Sequence, residues 1–118
     1  MPRIIRSPDC GNSPKNGFVE DTAIALETGI CDPETFDPAV TWESTSTRQI
    51  VGRTAVLEAL STEHAPAKVI VEYAISHGRV GAASGEVIRA NGETSRFCHV
   101  LEFTSLRANH VARVKSYD

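Results

Sequence analysis

Residues 94–104, Thr-Ser-Arg-Phe-Cys-His-Val-Leu-Glu-Phe-Thr, decide how this chain reads. Successive side chains of a strand point to opposite faces. Phe97, His99, Leu101 and Phe103 therefore share one face, and Arg96, Cys98, Val100 and Glu102 share the other. The first face is mostly large and apolar, which assigns it to a covered core and sets His99 among apolar neighbours. Just upstream, Asn91-Gly92 is the strongest short hairpin signal a sequence offers. It joins this strand to Arg79–Arg89, which His77-Gly78 joins in turn to the β-branched stretch Lys68–Ser76. Val111–Tyr117 follows as a closing strand. On one face of the Lys68–Ser76 strand the alternation places Val69, Val71, Tyr73 and Ile75.

Working outward toward the N-terminus, the pattern changes period. Ser13-Pro14 reads as an N-cap with proline at the first helical position. Val19, Ala23, Leu26 and Ile30 then recur at helical spacing, with Glu20, Asp21 and Glu27 on other faces. Gly29 and Pro33 end this helix. Thr35–Pro38 reads as a short helical turn, Val40–Glu43 as a short strand, and Ser44–Gln49 as a polar loop. A second helix is expected from Arg53 to about His64, with Val56, Leu57 and Leu60 on one stripe and Pro66 barring its continuation. Residues 1–12 show no periodicity and read as an arm. Residues 13–118 read as one domain. Helices first, then a meander of long strands, is an α+β arrangement rather than a βαβ sheet.

Bulk properties bound the function classes. At 118 residues the chain is one domain by length, and 41% apolar with 23% charged residues is ordinary for a globular protein. A formal net charge of −3 without a basic run speaks against nucleic acid, whose phosphates need clustered lysine or arginine. No apolar stretch approaches the roughly 20 residues that span a bilayer. The apolar run at Ile4-Ile5 is too short for a secretory signal, so no membrane partner is expected and a cytoplasmic location follows by default. Cys10, Cys31 and Cys98 form no metal-spaced cluster and read as free thiols. No phosphate-binding glycine loop, metal-ligand cluster or dinucleotide fingerprint is present, so neither a cofactor nor a metal is implied.

The strand after Gly78 is rich in small residues: Gly81, Ala82, Ala83, Ser84 and Gly85. Glycine inside a strand marks sharp curvature or a close approach. A sheet bent around a cavity and a flat patch packed by a second subunit both fit. The face carrying Cys98, Val100 and these small residues is too apolar for a solvated surface and calls for a second cover. A homodimer through the sheet is the simplest one.

These elements, in this order, resemble the SnoaL-like branch of the nuclear-transport-factor-two-like superfamily. The likeness rests on Gly11-Asn12-Ser13-Pro14-Lys15-Asn16 before the first helix, Val40-Thr41-Trp42-Glu43, Ile50-Val51-Gly52, Ser76-His77-Gly78, Phe97 to Phe103, and Val114-Lys115-Ser116-Tyr117. The resemblance implies a cone of helices against a curved antiparallel sheet, with a pocket inside and usually a sheet-mediated dimer. Ketosteroid isomerase belongs to this superfamily. Laid over this chain, its base carboxylate falls near Glu43, its oxyanion-stabilising acid near His99, and its first-helix tyrosine near Thr22, where the phenol is missing.

The expected catalytic pair is therefore Glu43 and His99. A carboxylate in an apolar pocket is pushed toward neutrality by desolvation, and a histidine titrates near it already. The expected pocket lining is Trp42, Tyr73, Phe97, Leu101, Leu26 and Thr22. The alternative is a hydrogen-bonded core histidine and a strand-edge carboxylate. Trp42 and Glu43 alternate, so only one of them faces inward. Cys98 lies on the face opposite His99, which disfavours a cysteine hydrolase. Three readings stay open: an acid–base isomerase or dehydratase-like enzyme for a small apolar molecule, a non-catalytic pocket for such a molecule, and a dimeric interaction module.

Overall fold

The computed structural model describes residues 2–8, 13–45, 49–61, 65–105 and 110–117. Cys10, Gly11, Asn12, His64 and most of the connector after Ser105 lie outside the described residues. The elements run β1 (Arg3–Ile5), α1 (Pro14–Thr28), a 3-10 turn (Pro33–Thr35), β2 (Phe36–Ser44), β3 (Ile50–Val51), α2 (Arg53–Ser61), β4 (Lys68–His77), β5 (Val80–Ile88), β6 (Thr94–Phe103) and β7 (Val111–Tyr117).

Helix α1 begins where its cap dictates. The Ser13 hydroxyl accepts the Asn16 amide at 3.2 Å, and Pro14 occupies the first turn. It ends at Gly29, whose φ of 77° is left-handed and whose amide donates to the Ala25 carbonyl at 2.8 Å. Ile30 falls past that end and is exposed, although its spacing had placed it on the apolar stripe. Helix α1 lies across β4 and β5, and α2 lies against β2 and β3. The inner surface of β6 and β7 is left between the two helices.

The strands form one sheet in the order β1-β4-β5-β6-β7-β2-β3. It is mixed rather than wholly antiparallel: β4 to β7 form the expected antiparallel meander, but β1 runs parallel to β4 and β2 parallel to β7. Both parallel pairs join segments from the helical half of the chain to edges of the meander. The β1 strand lies inside the segment read as an arm. Glu20 of α1 fixes it there, accepting the Arg6 guanidinium at 2.8 Å and the Ser7 amide at 2.7 Å. The Arg3 amide donates to the Ala67 carbonyl at 3.0 Å.

Register assigns the inner face without gaps. Val69 pairs with Val87, Val71 with Gly85, Ala74 with Ala83, Gly85 with Phe97, Ala83 with His99, and Leu101 with Val114. All of these are buried. With Val19, Ala23 and Leu26 of α1 and Val56 and Leu60 of α2 they make the core.

Strand β4 corrects the expected face assignment. Val71 pairs with Gly85, but Tyr73 pairs with the next residue back, Ser84, so Glu72 is an extra residue in the ladder. Such a bulge reverses the alternation beyond it. Ala74 turns inward, while Tyr73 and Ile75 turn out to the opposite face at 64% and 63% exposure. Gly85 faces the bulge, where a Cβ would collide with the Ile70 carbonyl oxygen and the Phe97 ring. The small residues of β5 thus serve the bulge and the close approach of α1.

Among the described residues no helix is long and apolar enough to cross a membrane, and no group of three or more His, Cys, Asp or Glu side chains is placed to hold a metal ion.

Candidate functional site

The inner surface between the helices carries a polar chain. Alternation in β6 turns His99 inward between Phe97 and Leu101, and its cross-strand neighbour Ala83 leaves room for the ring. The imidazole is 4% exposed. Phe97 stacks on it, with centroids 5.4 Å apart and planes 24° from parallel. A buried imidazole needs partners for both nitrogens, because an unsatisfied polar atom costs about 1–3 kcal/mol.

Both partners are present. Nδ1 lies 2.7 Å from the hydroxyl of Ser116, its cross-strand neighbour on β7. Nε2 lies 2.6 Å from Oε2 of Glu27, in the last turn of α1. The Ser116 hydroxyl also accepts the indole N–H of Trp42 at 2.8 Å. Trp42 on β2, Ser116 on β7, His99 on β6 and Glu27 on α1 thus form one hydrogen-bonded line across three strands and a helix. Exposure along it is uneven. His99 and Ser116 are buried, whereas the Glu27 side chain is 16% exposed. The other Glu27 oxygen, Oε1, accepts no hydrogen bond among the described residues.

The residues expected at the site divide into those the structure gathers and those it does not. Trp42 faces inward and joins the line. Glu43 projects from the other side of β2, is paired with Lys115 in register, and accepts Gln49 Nε2 at 3.2 Å. It lines an open hollow with Ser44, Thr45, Lys115 and Tyr117. The carboxylate that meets His99 is Glu27 instead. Phe97, Leu101 and Leu26 lie in the core beside the line. Thr22 is buried on α1, with its hydroxyl donated to the Phe18 carbonyl at 2.9 Å. Tyr73 stands on the opposite face of the sheet, for the reason given by the bulge.

Glu27 and Ser116 are the two members that sequence reasoning missed. Glu27 sits seven residues after Glu20, and each directly follows an apolar stripe residue, Val19 or Leu26. That places both on one shoulder of the helix, roughly a quarter-turn from its apolar stripe. A shoulder becomes buried when a helix lies on a broad sheet, and Glu20 is indeed 1% exposed. Ser116 shares parity with Val114, so strand alternation alone pointed it inward.

Beyond the line, burial and the Asp32 carboxylate push the Cys31 thiol above its ordinary range. The Asp21 and Glu20 carboxylates hold the Arg6 guanidinium up.

No family model matches the chain, and no curated protein matches it in sequence. Solved structures do match in shape. One is an NTF2-like protein of unknown function from Burkholderia xenovorans, with 18% identity and a TM-score of 0.69 over 87% of this chain and 79% of that one. Another is an NTF2-like protein of unknown function from Mesorhizobium loti, with 15% identity and a TM-score of 0.68 over 96% and 97%. A third is a candidate isomerase of the SnoaL-like family from Agrobacterium tumefaciens, with 11% identity and a TM-score of 0.67 over 87% and 96%. At these identities the likeness is one of fold. The chain has the nuclear-transport-factor-two-like α+β cone architecture, with two helices on a curved, unclosed sheet.

Proposed function

We propose that this protein takes a small apolar, oxygen-bearing molecule on the concave side of its sheet and moves a proton on it by general acid–base chemistry, as an isomerase or dehydratase-like enzyme does. The observation that carries the reading is the 2.6 Å contact between Glu27 and the buried His99, with one carboxylate oxygen left unbonded among the described residues. A carboxylate held at the rim of an apolar interior is suited to remove a proton next to a carbonyl. The candidate isomerase among the structural neighbours supports the same class of chemistry.

Ser116, His99 and Glu27 follow the order of an acyl-transfer triad, but the geometry speaks against that use. A nucleophilic hydroxyl must reach substrate, whereas Ser116 is 7% exposed and held by both Trp42 and His99. One observation favours a second reading, binding without turnover: the Thr22 hydroxyl is spent on its own helix, leaving no donor at that position for a developing oxyanion.

The outer face supports assembly into a homodimer. Tyr73, Ile75, Val80 and Tyr117 are exposed there, on the same side as the small Ala82 and Ser84. Exposed apolar side chains gathered on one face, here interleaved with the Arg96–Glu72, Arg96–Glu86 and Arg113–Glu102 ion pairs, are what an interaction surface presents.

The test uses a panel of cyclic ketones, β,γ-unsaturated ketones and lactones in D2O, with loss of α-protons followed by proton NMR. Wild-type protein is expected to exchange at least one of them faster than buffer does, and Glu27→Gln to fall to the buffer rate. Saturable binding without exchange would establish the non-catalytic reading. Neither binding nor exchange across the panel would overturn both.

A further inference from the structure

The direction of each hydrogen bond in the line can be worked out from its far end. An indole N–H only donates. The Ser116 oxygen therefore accepts from Trp42 at 2.8 Å, and its own proton needs an acceptor. Among the described residues that acceptor is His99 Nδ1, 2.7 Å away. A nitrogen that accepts carries no proton, so in the neutral ring the proton sits on Nε2. Nε2 then donates to Glu27 Oε2 at 2.6 Å, and Glu27 is left as the acceptor. The reverse arrangement, with the proton on Nδ1, strands the buried Ser116 proton and requires a protonated carboxyl at Glu27. The Phe97 ring stacked on the imidazole and the buried Ala83 across the ladder hold the ring in this plane.

We infer that Trp42 and Ser116 are positioning residues that fix His99 in its Nε2–H form, so that Glu27, and not His99, is the base that receives the substrate proton. The inference rests on the acid–base reading above and assigns the roles within it. His99 has no nitrogen free to meet a substrate. Glu27 Oε1 accepts no hydrogen bond among the described residues, and the His99 donor holds the carboxylate through its other oxygen. The proton leaves a carbon next to the substrate carbonyl and arrives at Oε1. The electron pair of the broken C–H bond moves onto the carbonyl oxygen. Return of the proton from Oε1 to another carbon, or to the same one, restores the carboxylate, and no oxidant or second reactant is consumed.

Two measurements test this. The first is the nitrogen NMR spectrum of His99 in the free protein, which reads the tautomer whether or not the protein is an enzyme. It is expected to show a protonated Nε2 and an unprotonated Nδ1, and a smaller share of that form in Trp42→Phe, where Glu27 alone still favours it. A protonated Nδ1 in the wild type would overturn the relay. The second is exchange of the best ketone from the panel. Glu27→Gln is expected to lose about 100-fold or more. Ser116→Ala is expected to lose about tenfold in kcat with KM unchanged, and Ser116→Thr, which keeps the hydroxyl, to recover most of it. Loss of exchange in His99→Gln with Glu27→Gln active would overturn the assignment of the base. Lack of exchange by the wild type would overturn the proposed function and the base assignment together, while the tautomer would still decide the relay.

Discussion

Replacing Glu20 by alanine tests whether the N-terminal strand is held by one buried carboxylate. Glu20 is 1% exposed and accepts the Ser7 amide at 2.7 Å and the Arg6 guanidinium at 2.8 Å. Truncation removes the Glu20 acceptor of the buried Ser7 amide, which costs about 1–3 kcal/mol. Loss of the Arg6 contact adds little, about 0–1 kcal/mol, because that side chain is 54% exposed and keeps Asp21 at 2.7 Å. The void left by the carboxylate adds about 1 kcal/mol. The sum is about 2–5 kcal/mol, which for a domain of this length lowers Tm by roughly 8–20 °C. Glu20→Gln retains one oxygen for Ser7 and should lose about half as much. The assay is thermal unfolding, paired with hydrogen exchange over residues 2–8, where the Arg3 amide bonded to the Ala67 carbonyl should lose its protection. A Tm shift below about 3 °C in the alanine variant, with Arg3 still protected, would refute the claim that Glu20 anchors the strand.

Three further outcomes follow from the same fold. Gly85→Ala drives a Cβ into the Ile70 carbonyl oxygen, which is backbone and cannot swing aside, so it should destabilise by about 3 kcal/mol or more in urea unfolding; an unchanged midpoint would mean that the bulge is absent. Cys31, with its thiol raised by burial and by Asp32, should react with iodoacetamide at pH 8 more slowly than a free cysteine does; an equal or faster rate would contradict its environment. Tyr73→Lys with Ile75→Lys should convert a dimer to a monomer in sedimentation experiments while leaving Tm within a few degrees, since both side chains are more than half exposed in the single chain; a wild type that is monomeric at every concentration would remove the proposed interface.

The sequence carried the architecture further than it carried the site, and the reasons lie in particular residues. Ser13-Pro14 and Gly29 marked both ends of α1 because capping chemistry is local. The alternation from Phe97 to Phe103 placed His99 inward because β6 keeps a regular ladder through that stretch. It misplaced Tyr73 and Ile75 because one inserted residue, Glu72, reverses parity and leaves no compositional trace. The parallel pairs β1–β4 and β2–β7 escaped for another reason: they join segments more than sixty residues apart, as Arg3 with Lys68 and Trp42 with Val114, and no local signal encodes that closure. Glu27 was visible only as one of three acidic residues off the apolar stripe of α1. Its use depends on how widely the sheet extends beneath the helix. Glu43 drew attention through position in a resemblance, yet strand parity gave the inward place to Trp42.

The irregularity at Glu72 makes β4 two half-strands that share a ladder but not a sidedness. Its first half lends Val69 and Val71 to the interior, and its second half lends Tyr73 and Ile75 to the exterior. Deleting that single residue would transpose the far end, sending the tyrosine beneath α1 and Ala74 out to solvent. One strand thereby belongs to two surfaces at once, so a substitution beyond the bulge is felt on the side opposite to the one its spacing suggests.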